Sequence, residues 1–365
     1  MAEIENRVAE FALRRLTSPA GSDYPWTHPA VGADLADQLA ELTDSLKQPP
    51  NSEGQGKCIQ SGFSYWGVES TVAWCEAVSD RFYPVMRESH ERFAQRWREV
   101  SKHVAGHEFH YVSLGPGTGE KDAAILADLA AQNPDTCYIP VDMSAEMLRI
   151  PIHRPLRSMR IDPVRIIPIQ IDFSDEAIVT ELRRRLDWLL PDGKFVFSLL
   201  GNTIANFDRD DELLEMLADI LLKPDDMLVM EVATTTSSDL QHANRAADEY
   251  RKSRRFREFV TCSLQHYTDL TIDLEKPGLE FNGRAEDDHA IAISMLYRNT
   301  TEQSIRITLP DRSTVEFPPD DTIRLYLTRK YLPSGIDRLI SRAKLRKIAH
   351  QHVDFQGPGT RRGGH

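Results

Sequence analysis

The stretch His110–Lys121, HYVSLGPGTGEK, limits the possible folds of this chain more than any other. Val112–Leu114 reads as the end of a buried strand and Gly115-Pro116-Gly117-Thr118-Gly119 as a tight turn. Glu120-Lys121-Asp122 then open a helix whose apolar face is Ile125, Leu126 and Leu129. Strand, glycine turn and helix start is the form of a nucleotide-binding first crossover, where glycines let the backbone approach a ligand. The glycines run G-x-G-x-G rather than G-x-G-x-x-G, a spacing that suits S-adenosylmethionine better than a dinucleotide. Many α/β proteins carry such a turn for structural reasons alone, so the rest of the chain has to decide.

From Phe109 onward strands and helices alternate. Strands are expected at Phe109–Leu114, Thr136–Val141, Arg165–Ile171, Lys194–Leu199 and Met227–Val232, with helices Glu120–Ala131, Ala145–Arg149, Asp175–Leu189 and Asp210–Leu221 between them. Repeated βα units imply a parallel sheet covered on both faces. Ligands of such sheets lie beyond the carboxyl ends of the strands. After Val232 the pattern changes to one long helix, Asp239–Val260, and strand-like runs at Ala290–Tyr297, Ser304–Leu309, Thr314–Phe317 and Thr322–Leu327. This reads as a mixed α+β lobe over the strand ends. Pro333–Leu345 reads as a helix and Ile348–Phe355 as a last strand. Upstream of the core, Ala33–Leu46, Glu69–Phe82 and Arg87–Val104 have helical periodicity. The expected division is therefore 1–236 for N-terminal helices plus core, 237–328 for an inserted lobe, 329–355 for a return to the core, and 356–365 for a disordered tail.

Composition narrows the function. A formal net charge of -12 argues against a broad nucleic-acid-binding face, which needs clustered Lys and Arg. Cys58, Cys75, Cys137 and Cys262 form no CxxC pair, so they read as reduced thiols of a cytoplasmic protein and not as metal or dithiol sites. The N-terminus, MAEIENRVAEFALRRL, is unlike a secretory signal, and no apolar run is long enough to span a membrane.

Several polar residues stand at expected strand ends. Asp142, after the second strand, can accept hydrogen bonds from ribose hydroxyls, or it or Ser144 can cap the next helix. Asp172, with Phe173, follows the third strand and suits an adenine amino group, or again a cap. Lys121 can reach a cofactor carboxylate from its helix start, or be an ordinary exposed lysine. Gly-Asn-Thr and Asn206, in FSLLGNTIANF, follow the fourth strand; Asn206 offers both donor and acceptor, though asparagine is also a common turn residue.

Taken in order, LGPGTGEK, YIPVDMS, IDFS, LLGNTIANF and TIRLYLTRKY make the chain resemble the histidine-specific S-adenosylmethionine-dependent methyltransferases over roughly Ser64–Leu345. The family includes the histidine Nα-methyltransferase of ergothioneine biosynthesis and fungal dimethylallyltryptophan N-methyltransferases. The resemblance implies a Rossmann-like class I methyltransferase with a substrate-binding lobe inserted after the fifth strand. It implies S-adenosylmethionine contacts at Gly115, Gly117, Lys121, Asp142, Asp172 and Phe173. It implies Tyr83 and Tyr65 near the substrate amine, Asn206 on the substrate carboxylate, and Thr203, Met295 and Thr328 in the substrate pocket. Tyr250 is a candidate for a further tyrosine on the carboxylate. Two departures stand out. The glutamate that binds imidazole is replaced by Tyr326, and the Gly-Gly before Thr is Gly201-Asn202.

The expected function is thus N-methylation of a free amino acid or related small amine other than histidine, with no metal needed because the sulfonium methyl is already activated. The runner-up is methylation of another nitrogen, such as a guanidinium. From other classes, a nicotinamide-dependent oxidoreductase and a non-catalytic cofactor-binding protein are the rivals.

Overall fold

Apolar runs of four to six residues form the centre of the molecule. The computed structural model describes residues 35–80, 84–158, 161–162 and 165–353. In chain order the elements are α1 (Leu35–Leu46), β1 (Lys57–Cys58), α2 (Val68–Val78), α3 (Pro84–Val100), β2 (Phe109–Leu114), α4 (Glu120–Gln132), β3 (Tyr138–Asp142), α5 (Ala145–Ser158), β4 (Ile169–Gln170), α6 (Glu176–Leu189), β5 (Lys194–Leu199), α7 (Asp210–Met216), β6 (Met227–Met230), α8 (Leu240–Lys252), α9 (Arg254–Tyr267), β7 (Leu279–Glu286), β8 (Ala290–Arg298), β9 (Ile305–Thr308), β10 (Thr314–Phe317), β11 (Thr322–Tyr331) and α10 (Pro333–Arg342).

Five strands form a sheet in the order β4-β3-β2-β5-β6, and every pairing in it is parallel. Successive side chains of a strand point to opposite faces. Val112, Leu114, Phe197 and Leu199 accordingly join Val179, Leu182 and Leu186 of α6 in one buried cluster. Phe109, Tyr111 and Val196 join Ile125, Leu126 and Leu129 of α4, with Phe93 and Trp97 of α3, in another. A parallel sheet buried on both faces needs such unbroken apolar strands.

A second sheet has the order β1-β11-β8-β7, and β9 and β10 form a separate hairpin. This sheet draws on Lys57–Cys58, from before the parallel core, as well as on the chain after residue 278. β11 runs on to Tyr331, across the expected boundary at 328.

Several expectations are corrected. The long helix Asp239–Val260 is two helices, because Ser253 is extended between them. Its Oγ accepts from the Phe256 N–H at 3.1 Å and donates to Asp80 at 2.6 Å, capping the second helix. Strand Arg165–Ile171 shrinks to Ile169–Gln170, with Pro168 unable to donate to a ladder. Ile348–Phe355 is not a strand over its described residues, 348–353. β7 went unread because it is an edge strand with few apolar residues; Gly283 in it lets the backbone of Ala243 on α8 approach so closely that a Cβ would lie 2.1 Å from the Ala243 carbonyl oxygen. The N-terminal segment before residue 35, Tyr83 and the tail 356–365 lie outside the described residues.

Candidate active site

Numbered within the parallel sheet alone, the strand order is 3-2-1-4-5, so the direction of winding reverses between β2 and β5. A crevice opens beyond the strand ends at such a point. Here it is a cavity of about 840 Å³.

The glycine turn forms its floor. Gly115, Gly117 and Gly119 all have positive φ, at 69°, 58° and 70°, a region that residues with a Cβ rarely adopt. A Cβ on Gly119 would lie 2.6 Å from the Pro151 Cα, which is what brings α4 against α5. Gly115 and Gly117 line the cavity, facing Thr203 and Trp74. Behind the turn Asp122, in the first turn of α4, accepts from the hydroxyls of Tyr111 at 2.9 Å and Tyr138 at 2.6 Å. The loop is thereby fastened to two strands through one buried carboxylate, whose pKa burial raises to about 6.

Asp142, Asp172 and Phe173 line the same cavity. Asp142 is buried, and its Oδ1 accepts from the Ser144 N–H at 2.9 Å. The helix cap itself is Ser144, whose Oγ accepts from the Met147 N–H at 3.3 Å. Burial pushes the Asp142 carboxyl up to about 7, against the N–H groups of Ser144 and Met143, and the charge of Asp172 adds to the rise. A carboxylate so placed is short of donors. Asp172 accepts from the Ser174 N–H and hydroxyl at 2.8 and 2.6 Å.

Lys121 is not an exposed lysine. It is buried, lines the cavity and pairs with Glu231, and it donates to the Ser89 hydroxyl at 2.8 Å. Glu231 also accepts from Arg96 at 2.5 Å, Ser89 at 2.7 Å and the Gly201 N–H at 2.9 Å. Glu231 was missed in the sequence, although it directly follows the fifth parallel strand, where polar residues of such sheets act. Arg96 and Ser89 gave no signal: each is one polar residue among many on an amphipathic helix.

The opposite wall is aromatic. The hydroxyls of Tyr65 and Tyr326 are 2.7 Å apart, and the Tyr326 ring stands edge-on to Phe256 and Phe259 at 5.8 and 5.9 Å. Trp74 lies 6.0 Å from Tyr65 and reaches the glycine turn. Tyr250 packs on Phe256 at 5.0 Å. All six residues line the cavity. Burial raises the Tyr65 hydroxyl to about 12, so it is neutral near pH 7. A β-bulge shifts the β11 register between Arg324 and Tyr326. Such a bulge re-aims a side chain, and beyond it Tyr326 and Thr328 both line the cavity.

Asn206, Thr203 and Thr328 complete the lining. The Asn206 amide has no hydrogen-bond partner among the described residues. Asn202 is a brace: its amide donates to Thr328 Oγ1 at 3.2 Å and the Arg329 carbonyl at 2.9 Å, and accepts from the Ala233 N–H at 2.9 Å. Its positive φ of 69° is one that asparagine tolerates better than most residues with a Cβ. Met295 corrects an expectation. It is fully buried opposite Tyr326 across the β8–β11 pair and does not line the cavity.

A glycine turn after the first strand of a 3-2-1-4-5 parallel sheet, with carboxylates after the second and third, is the cofactor half of a class I S-adenosylmethionine-dependent methyltransferase. Residues 64–355 match the model of the histidine-specific, S-adenosylmethionine-dependent methyltransferases, and the chain belongs to that family. No curated protein matches the sequence. Among solved structures, a methyltransferase from Clostridium acetobutylicum is 12% identical, with 71% of this chain and 82% of that one covered and a TM-score of 0.36. The glycopeptide N-methyltransferase MtfA, complexed with S-adenosylmethionine, is 14% identical over 68% and 75% of the two chains, with a TM-score of 0.33. DesVI of Streptomyces venezuelae is 11% identical over 77% and 92%, with a TM-score of 0.33.

The residues present fit S-adenosylmethionine. Asp142 is a buried carboxylate short of donors, as an acceptor for ribose hydroxyls should be, and the bare glycine backbone leaves room beside it. Donors that favour the ionised carboxylate must expel its proton below about pH 7. S-adenosylhomocysteine affinity is therefore expected to rise between about pH 6 and 8 and then level off, with proton release visible in calorimetry across buffers of different ionisation enthalpy. Asp142→Asn should weaken binding by ~1–3 kcal/mol and abolish the pH dependence. A pH-independent wild type would remove Asp142 from the cofactor site.

Proposed function

We propose that this methyltransferase acts on the amino nitrogen of a free amino acid, or a closely related small amine, whose side chain is not an imidazole. The observation that carries this reading is the Asn206 amide, without a hydrogen-bond partner among the described residues, in a cavity that also holds the glycine turn and an aromatic wall. An amide with both donor and acceptor suits a carboxylate beside a reacting amine. The aromatic wall suits a flat or cationic side chain.

S-adenosylmethionine, when bound, supplies a methyl group already activated on sulfur. Gly115, Gly117, Asp142, Asp172 and Phe173 would hold it, with Lys121 and its partners at one end of the cavity. The protein's own work is orientation, which can supply several kcal/mol of barrier lowering. The paired hydroxyls of Tyr65 and Tyr326 can exchange donor and acceptor roles beside the amine, and burial raises the Tyr65 hydroxyl to about 12, so the pair orients the amine rather than supplying a base. The four free cysteines support a reducing, cytoplasmic setting, and the acidic net charge supports a small-molecule substrate over nucleic acid. No helix among the described residues is long and apolar enough to cross a membrane.

Mass spectrometry of products from S-adenosylmethionine and a panel of standard amino acids and their derivatives tests the reading. Methyl transfer only to a guanidino compound lacking a free amino acid group would favour the second reading, methylation of a guanidinium, which the same aromatic wall accommodates. Asn206→Ala is expected to raise the substrate KM about ten-fold or more while leaving S-adenosylhomocysteine affinity within about two-fold, since a hydrogen bond to a charged group is worth ~1.5–3 kcal/mol. Equal losses in both would make Asn206 structural. Decarboxylated analogues should be poor substrates for the unmodified enzyme.

A further inference from the structure

Arg329 lies on β11, buried, on the side of the second sheet that meets the parallel core. Its Nη1 donates to the carbonyls of Ala205, at 3.5 Å, and Phe207, and its Nη2 donates to the carbonyl of Asp208 at 3.1 Å. Those carbonyls belong to the short turn, Thr203–Asn206 and the residues after it, that carries Asn206. The other donors of the guanidinium go to Glu286 at the end of β7, Nε to Oε2 at 2.7 Å and Nη2 to Oε1 at 3.3 Å. Every N–H of the fork is thus engaged, on one side by the turn and on the other by a carboxylate. The following residues repeat the link: Asp210 accepts from the Tyr331 hydroxyl at 2.6 Å and pairs with His289 Nε2 at 3.0 Å.

The Asn206 side chain has no hydrogen bond of its own to hold it among the described residues, so its direction depends on its backbone. We propose that Arg329, fixed by Glu286, is a positioning residue that sets the Asn206 turn from the second sheet and thereby aims the Asn206 amide at the substrate carboxylate. This rests on the reading of Asn206 as the carboxylate holder. Lysine cannot replace arginine here. Its ammonium is a point donor without a planar fork, and it cannot grip successive carbonyls and a carboxylate together.

The test uses Arg329→Lys and the milder Glu286→Gln in the full chain. Four quantities are measured: amide hydrogen exchange of residues 203–208 with S-adenosylhomocysteine bound, S-adenosylhomocysteine affinity, and kcat and KM for whichever standard amino acid the wild type methylates fastest. Arg329→Lys should speed exchange in 203–208 at least ten-fold and raise KM at least ten-fold. It should leave kcat within about three-fold and S-adenosylhomocysteine affinity within about two-fold. Glu286→Gln should move exchange and KM in the same direction by less, and Arg329→Lys combined with Asn206→Ala should raise KM no further than Asn206→Ala alone. Unchanged exchange in both variants overturns the proposal, as does a loss of S-adenosylhomocysteine affinity equal to the rise in KM. Faster exchange with an unmoved KM instead overturns the carboxylate role of Asn206 and leaves Arg329 as the support of the turn.

Discussion

Glu231→Ala is expected to lower the unfolding free energy by ~3–5 kcal/mol at neutral pH, because it leaves two buried cations without their shared anion. Lys121 and Arg96 both pair with Glu231, and the side chains of all three are less than a fifth exposed. Burial alone would raise the Glu231 carboxyl. Lys121, Ser89 and Arg96 outweigh it and hold the pKa at about 2. The sign follows from the depressed value. The stabilisation is complete above the usual glutamate range and is lost as pH falls from about 4.5 toward 2. Urea denaturation across pH is the measurement. Wild type should lose stability over that acid window, whereas Glu231→Ala should lack that part of the curve. The variant should also gain stability toward alkaline pH, where Lys121, whose pKa burial already lowers, can fold as the neutral amine. A variant within 1 kcal/mol of wild type at neutral pH, by the same magnitude argument, would mean that the cluster is not held as one unit.

The second large effect concerns Tyr326. Its hydroxyl meets Tyr65 and its ring is bordered by Phe256 and Phe259, at the position where the resemblance implies a glutamate in the histidine enzymes. Tyrosine offers an aromatic face and a neutral hydroxyl and no acceptor strong enough to define an imidazole N–H. Tyr326→Glu restores such an acceptor beside the Tyr65 hydroxyl. The ratio of kcat/KM for histidine to that for the best substrate in the panel should rise at least ten-fold, as expected for a hydrogen bond to a charged group of ~1.5–3 kcal/mol. Some stability should be lost, since the new carboxylate lies among aromatic rings. Two results would remove Tyr326 as the specificity determinant: a wild type that already prefers histidine, or a ratio that the substitution does not move.

Much of the cofactor half could be read along the chain because its chemistry is local. Strand, turn and helix start lie within twelve residues from His110 to Lys121, and the left-handed turn leaves its mark as glycines that a Cβ would disfavour. Asp142 and Asp172 announce themselves by following apolar runs, since a parallel sheet puts functional groups at strand ends. The same rule would have found Glu231. The resemblance in five short motifs added the substrate side, and with it Asn206 and Tyr326.

Other features depended on partners distant in sequence. Whether Lys121 faces solvent or is buried against Glu231 depends on a residue 110 positions away. Met295 and Tyr326 both lie in apolar, strand-forming stretches. Only the bulge and the packing of α9 put one in the core and the other on the cavity. The break at Ser253 is invisible to periodicity, because it turns on a cap and a contact with Asp80, which lies just beyond the end of α2. Local backbone preference and the period of apolar residues thus establish the parallel core and its glycine turn. Burial, ion pairing and strand register are set by contacts between segments far apart in the chain, and those contacts decide which polar and aromatic residues line the cavity.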